Sequence, residues 1–170
     1  LAGKSTSDSG QTSCIECVPG KFQPEQGAET CDECRPGKFR GAQDSPSEQC
    51  KECKTGTYTS EGGQGTCINC IPGEFQIQRG RRNCSVCAVG KASSIEARKT
   101  KCEVCTTGRY QRETAATTCL KCIPGQFQAQ RGNINCTACA VGKASSIEAR
   151  KTECEVCTTG RYQRETAATT

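Results

Sequence analysis

The 170-residue chain has no Met, no Trp and no His, and only four Phe and three Tyr. Each absence excludes something. Without His there is no imidazole to act as general base or to complete a nucleophile–base triad. Without Trp, and with so few other aromatics, there is no basic stripe interleaved with stacking side chains, so nucleic acid is not an expected partner. No apolar run is long enough to span a bilayer. The first residues, LAGKSTSDSG, are polar and lack the apolar segment of a secretory leader, so a chain that starts at Leu1 reads as a processed product or a segment of something longer. The apolar fraction is 33% including the cysteines. An ordinary chain of this length could bury one sizeable core. This one lacks the side chains to do so, and covalent links must replace burial.

What the chain has instead is cysteine. All 18 cysteines fall in nine Cys-x-x-Cys pairs, beginning at Cys14, Cys31, Cys50, Cys67, Cys84, Cys102, Cys119, Cys136 and Cys154. The gaps between successive pairs are 13, 15, 13, 13, 14, 13, 13 and 14 residues. A period this short means a repeat array rather than one globular domain. The third residue after every pair is Gly, from Gly20 to Gly160. Two residues later an aromatic follows in seven units: Phe22, Phe39, Tyr58, Phe75, Tyr110, Phe127 and Tyr162, with Ala92 and Ala144 as the exceptions. Pro19, Pro36, Pro72 and Pro124 precede the Gly in four units, and Pro-Gly fits the two central positions of a type II turn. Each unit therefore reads as a cysteine, a turn, a short strand with an aromatic, a polar loop and a cysteine. The single aromatic is expected to be the hydrophobic core of its unit, packed on the adjacent disulfide.

A longer period lies above the short one. Residues 67–118 and 119–170 match at 43 of 52 positions, and Ala88–Thr118 matches Ala140–Thr170 at 30 of 31. Residues 14–66 form a more divergent block of the same three-unit plan. The expected organisation is a flexible arm, 1–13, followed by blocks 14–66, 67–118 and 119–170. Charge is uneven across them. Residues 1–66 carry −3, residues 67–118 carry +5 and residues 119–170 carry +3. Arg79, Arg81 and Arg82 form a basic cluster suited to anionic glycans, but the next block lacks it.

Three chemistries use Cys-x-x-Cys. A disulfide ladder is one. A four-cysteine zinc site is the second, since the gaps suit it, but nine pairs cannot be shared out two to a metal. Thiol–disulfide exchange is the third, and it normally places the pair at a helix N-terminus. The only helix-like apolar period, Ala92–Thr100, does not directly follow a pair. Glu103, Glu113, Glu155 and Glu165 recur between copies, but they lie in polar loops with no pocket to shift their pKa. No enzyme, cofactor or metal is expected.

Stretches such as CVPGKFQPEQGAETCDEC from Cys17 and CIPGEFQIQRGRRNCSVC from Cys70 resemble the ephrin-receptor-like cysteine-rich repeat. They also resemble the single-disulfide submodule of tumour-necrosis-factor-receptor cysteine-rich domains. The likeness covers about 155 of the 170 residues. It implies a small disulfide-rich fold, mostly irregular with short β-hairpins, strung into an extended rod-like array without a single hydrophobic core. It also implies that the second cysteine of each pair bonds the first of the next: Cys17–Cys31, Cys34–Cys50, Cys53–Cys67, Cys70–Cys84, Cys87–Cys102, Cys105–Cys119, Cys122–Cys136 and Cys139–Cys154. Each loop would close about 15 residues, worth about 3 kcal/mol in the chain-entropy model. A rival scheme that crosses two adjacent pairs consumes pairs two at a time, which clashes with blocks of three. The ladder leaves Cys14 and Cys157 for links to another segment or chain.

Two N-x-Ser/Thr sequons, at Asn83 and Asn135, stand 52 residues apart at the same place in their blocks. The Thr-rich loops, Thr106-Thr107 and Thr114–Thr118, offer room for O-glycans. The localisation expected is extracellular or cell surface. Such repeats serve two kinds of function. The first is a structural rod that builds a filament, appendage or matrix by self-association or by further copies of the same repeat. The near-identity of two blocks favours this one. The second is a receptor or adhesion ectodomain that binds a protein ligand.

Overall fold

A computed structural model describes residues 2–6 and 13–158. Among the described residues there is no helix. Eighteen two-residue strands pair as nine two-stranded sheets, each made of strands adjacent in sequence. The result is a small disulfide-rich fold of short hairpins with eight disulfides in tandem. The chain divides into two compact units. One comprises Leu1–Ile71, Phe75–Ser85 and Glu96–Thr100, and the other Pro72–Glu74, Val86–Ile95 and Lys101–Thr170. The same local plan operates in both.

The hairpin based on Cys17 shows how the sequence makes each unit. Lys21 N–H donates to Val18 O (3.0 Å) across Pro19-Gly20, and Gly20 has φ +86°. That is the type II turn the Pro-Gly pair predicts. The turn delivers Lys21–Phe22 antiparallel to Asp32–Glu33, with Lys21 opposite Glu33 and Phe22 opposite Asp32. Cys34 N–H extends the ladder by donating to Gly20 O (2.8 Å). The Cys17–Cys31 disulfide closes the base at a Cα separation of 5.8 Å. A two-residue hairpin is not stable alone, so the covalent closure and the neighbouring hairpins must hold it. Arg109–Tyr110 with Leu120–Lys121, and Gln126–Phe127 with Thr137–Ala138, repeat the arrangement.

Successive hairpins are joined by backbone bonds in both directions. The turn glycine donates to a carbonyl three residues past the next turn glycine, as in Gly20 to Arg40 (2.9 Å), Gly56 to Gln76 (2.7 Å) and Gly108 to Gln128 (2.7 Å). A loop amide further along donates back to the buried cysteine carbonyl, as in Gly63 to Cys34 (2.8 Å) and Ala149 to Cys122 (2.8 Å). A third contact skips one hairpin. The turn glycines lie against loop carbonyls two hairpins further on: Gly20 on Gly63, Gly56 on Ala97, Gly73 on Ala115 and Gly108 on Ala149. The loop residues that supply these carbonyls are left-handed, including Ala97 (φ 51°), Ala115 (φ 56°) and Ala149 (φ 53°).

The core differs from the expectation of one aromatic per unit. The six described aromatics are only half-buried, and Tyr162 lies outside the described residues. A hairpin with two-residue strands has no second layer to cover a ring. What is buried is the row of second cysteines, with Cys53, Cys70, Cys87, Cys122 and Cys139 all at 0% exposure. A second set, of polar side chains one place after each aromatic position, is also buried: Gln23, Arg40, Thr59, Gln76, Ser93, Gln111, Gln128 and Ser145. Burial of such groups requires hydrogen-bond partners. The glutamines find them inside their own loops. Gln128 Nε2 donates to Asn135 O (2.6 Å) while its Oε1 accepts from Gln130 N–H (2.9 Å), and Gln76 does the same with Asn83 O and Gln78 N–H. Arg40 occupies this place in the hairpin with the longest loop. It donates to the carbonyls of Lys21, Asp44, Cys17 and Val18.

This arrangement predicts that Gln128→Ala costs about 1–2 kcal/mol, because it strands a carbonyl and an amide that the side chain had paired. Faster hydrogen exchange at Gln130 N–H would report the loss. Unchanged protection there would count against the bridging role.

The segment read as a flexible arm, 1–13, is in part built into the array. Lys4–Ser5 pairs with Ile15–Glu16, Cys17 N–H donates to Gly3 O (2.9 Å), and Gly3 (φ +81°) lies against Pro46. Gly3 thus stands where a turn glycine stands in every later hairpin. The sequence reading missed it because no cysteine pair precedes it. Residues 7–12 of that segment lie outside the described residues.

Candidate cross-link, modification and binding positions

The eight disulfides join Cys17–Cys31, Cys34–Cys50, Cys53–Cys67, Cys70–Cys84, Cys87–Cys102, Cys105–Cys119, Cys122–Cys136 and Cys139–Cys154. Their Cα separations run from 5.5 to 5.8 Å, within the ordinary range for a disulfide. Cys14 and Cys157 are free; Cys14 is exposed and Cys157 half-buried. Cys157 nevertheless holds the place of a ladder cysteine, since its N–H donates to Gly142 O (2.9 Å). Thiol labelling of the folded protein is therefore expected to modify Cys14 readily and Cys157 more slowly, with the sixteen ladder cysteines untouched. Label appearing within the ladder without reductant would show a different pairing.

Asn83 and Asn135 are both exposed, each immediately before a ladder cysteine. Arg79, Arg81 and Arg82 are exposed as well, and Arg81 is held by the Gln78 side-chain carbonyl. Of the carboxylates in the sequence pattern, Glu155 accepts from Arg150 (3.0 Å) at the surface, and Glu103 and Glu113 are exposed. Glu165 lies outside the described residues.

Two surface grooves lie in the first unit. One, of about 450 Å³, is lined by Phe22, Asp32, Glu33, Arg35, Lys38 and Gln49 among others. Its charges are of both signs, and Glu33 is already paired with Lys21 (3.1 Å). The other is lined by Ser5, Ile15, Glu16, Val18 and Lys21 among others. Close by, Asp44 has its pKa lowered by the hydrogen bond from the Lys51 ammonium and by the Gly41 N–H. This pair braces the long loop that Arg40 also holds. Nothing in either groove resembles a catalytic constellation, which needs a base, a nucleophile and a group to orient them.

Among the described residues many large aliphatic side chains are exposed. One pair recurs in each block: Ile15 and Val18, Ile68 and Ile71, Leu120 and Ile123, all between 48% and 66% exposed. Each pair brackets a buried cysteine, in the pattern Cys-aliphatic-x-Cys-aliphatic-Pro-Gly. Cysteine spacing alone does not single these residues out. Exposed aliphatics repeated at a fixed spacing suit contact with another macromolecule.

The family model described as tyrosine-protein kinase ephrin type A/B receptor-like matches the chain in two overlapping tandem copies, over residues 3–49 and 41–87. Both copies run through successive hairpins of the ladder. The first begins at Gly3, the turn glycine of the first hairpin. No curated protein matches the chain.

Proposed function

We propose, for a chain that belongs to the ephrin type A/B receptor-like family of cysteine-rich repeats, a non-enzymatic role as an extended structural segment of an extracellular or cell-surface assembly. The observation that carries this reading is the near-identity of residues 67–118 and 119–170. A surface that recognises one asymmetric partner gains when its repeats diverge. A rod or filament subunit keeps them alike, because the same neighbour contact recurs along its length. The disulfide ladder supports an oxidising compartment, since thiols in the cytosol are kept reduced. The recurring aliphatic pairs and the free Cys14 and Cys157 support self-association, or association with further copies of the repeat. The acidic residues 1–66 and the basic residues 119–170 would steer such contacts, weakly and in a salt-sensitive way.

The second reading, a receptor or adhesion ectodomain, is favoured by the divergence of the first block and by the grooves it carries. Sedimentation of the purified chain, with reducing and non-reducing gels run in parallel, separates the two. Multiples that grow with concentration support the structural role, and multiples that collapse on reduction add covalent linkage through Cys14 and Cys157. A monomer at every concentration, in both gel lanes, overturns the structural reading and leaves the receptor reading standing.

A further inference from the structure

We propose that Asn83 and Asn135 are N-glycan acceptors and that they are modified before the disulfides at Cys84 and Cys136 close. The inference rests on the extracellular part of the reading above and is independent of the structural role.

In both sequons the middle residue is a ladder cysteine: Asn83-Cys84-Ser85 and Asn135-Cys136-Thr137. Both asparagines are exposed, as are Ser85 and Thr137. The same place in other hairpins holds Thr30, Thr66 and Thr118, all exposed, so a bulky group there points away from the buried cysteine row. The fold therefore accommodates a glycan at these positions once it is attached.

It leaves the side-chain amide open but holds the backbone that carries it. The backbone carbonyl of Asn83 accepts from Gln76 Nε2 (2.8 Å) and that of Asn135 from Gln128 Nε2 (2.6 Å). Cys84 is tied to Cys70 and Cys136 to Cys122. Ser85 and Thr137 begin strands, and Thr137 is in register with Phe127. The backbone of all three residues of each sequon is thus held in the hairpin. A transferase must grip the amide and the hydroxyl together, which requires the residue between them to bend. The open chain allows this and the closed hairpin does not.

The two copies support the acceptor role. Just ahead of the sequons, Arg81 and Arg82 correspond to Asn133 and Ile134, yet the asparagine is unchanged and the third residue keeps a hydroxyl through a Ser-to-Thr difference.

The steps balance. Asn Nδ2 attacks the anomeric carbon of a lipid-diphosphate oligosaccharide. A C–N bond forms, the C–O bond to the diphosphate breaks, the lipid diphosphate leaves, and one amide proton passes to a base of the transferase. Afterwards the thiols of Cys70 and Cys84 give two electrons and two protons to an oxidised dithiol exchange catalyst and form the disulfide. Cys122 and Cys136 do the same.

The test is to express the whole chain in a eukaryotic secretory host, label it with a short pulse, alkylate free thiols and map peptides. Amide-cleaving glycosidase should remove two mobility steps, and Ser85→Ala or Thr137→Ala should each remove one. Pulse-labelled chains with a glycan at Asn83 should carry an alkylated Cys84, and on chase the alkylation should give way to the Cys70–Cys84 bond. Cys70→Ala leaves the sequon whole and removes the competing closure, so occupancy at Asn83 should hold or rise even if the chain then folds poorly. Secreted protein with an intact ladder and no glycan would overturn the assignment while sparing the extracellular reading. Glycan added during the chase to chains already closed at Cys84, or lower occupancy in Cys70→Ala, would overturn the order of events.

Discussion

Gly108→Ala is expected to destabilise its hairpin by about 2–5 kcal/mol, combining left-handed backbone strain with steric overpacking. Gly108 has φ +77°, and a Cβ built on it would land on the carbonyl oxygen of Ala149, two hairpins further along. The residue also donates to Gln128 O and accepts from Cys122 N–H, so it cannot shift away without breaking both bonds. Gly63→Ala is the control. Gly63 is left-handed too (φ +70°), but its added Cβ would meet only the Glu33 side chain at 3.6 Å. The fold already carries Ala in the corresponding places at 97, 115 and 149. That change should cost about 1 kcal/mol, from the backbone alone. Hydrogen exchange at Cys122 N–H and Ala149 N–H reads the first effect directly. Equal losses from the two substitutions would mean that the carbonyl contact is not what demands glycine.

Complete reduction should unfold the chain. The buried side chains are cysteines, two alanines and a set of polar groups, which is too little apolar surface to offset chain entropy once the loops are open. Each opened loop releases about 3 kcal/mol of closure entropy in the chain-entropy model. Removing one link by Cys105→Ala with Cys119→Ala should therefore cost about that much and loosen mainly its own hairpin and the ones it touches. The fully reduced and alkylated chain should expand to a radius of gyration of about 44 Å, the value for an unfolded chain of this length. Small-angle scattering checks this. A reduced chain that keeps its native size and its amide protection would show that the polar set and backbone bonds suffice without the cross-links.

Much of this architecture is legible in the residue pattern. The first eight of the evenly spaced cysteine pairs, each followed by a glycine, mark eight of the hairpins and their turns, because only a fixed backbone plan needs the same residue at the same offset. Two features were hidden for physical reasons. The buried polar set is visible in hindsight as an aromatic–Gln step at Phe22-Gln23, Phe75-Gln76, Tyr110-Gln111 and Phe127-Gln128. A polar residue beside an aromatic reads as solvent-facing unless its partners are known, and here the partners are loop backbone groups. The left-handed alanines carry no local signal, since Ala is a helix former. Only the alignment of Ala97, Ala115 and Ala149 with Gly63, Gly80 and Gly132 betrays them. The exposed aliphatic pairs were present in the sequence but meant nothing until the hairpins showed that they remain outside.

The ladder also fixes how far this chain can be pulled. A tensile load entering at Cys17 crosses to Cys31 through sulfur, runs along two residues to Cys34, and crosses again to Cys50. Each step of that load path is one 5.5–5.8 Å bridge followed by three peptide units, which by themselves span about 10 Å when taut. The 13 to 15 residues of each loop stay slack, outside the load path. Straightened end to end, such a loop would reach about 50 Å. The oxidised chain is therefore a leash of short, fixed reach, and its reserve of length is released only by a reductant.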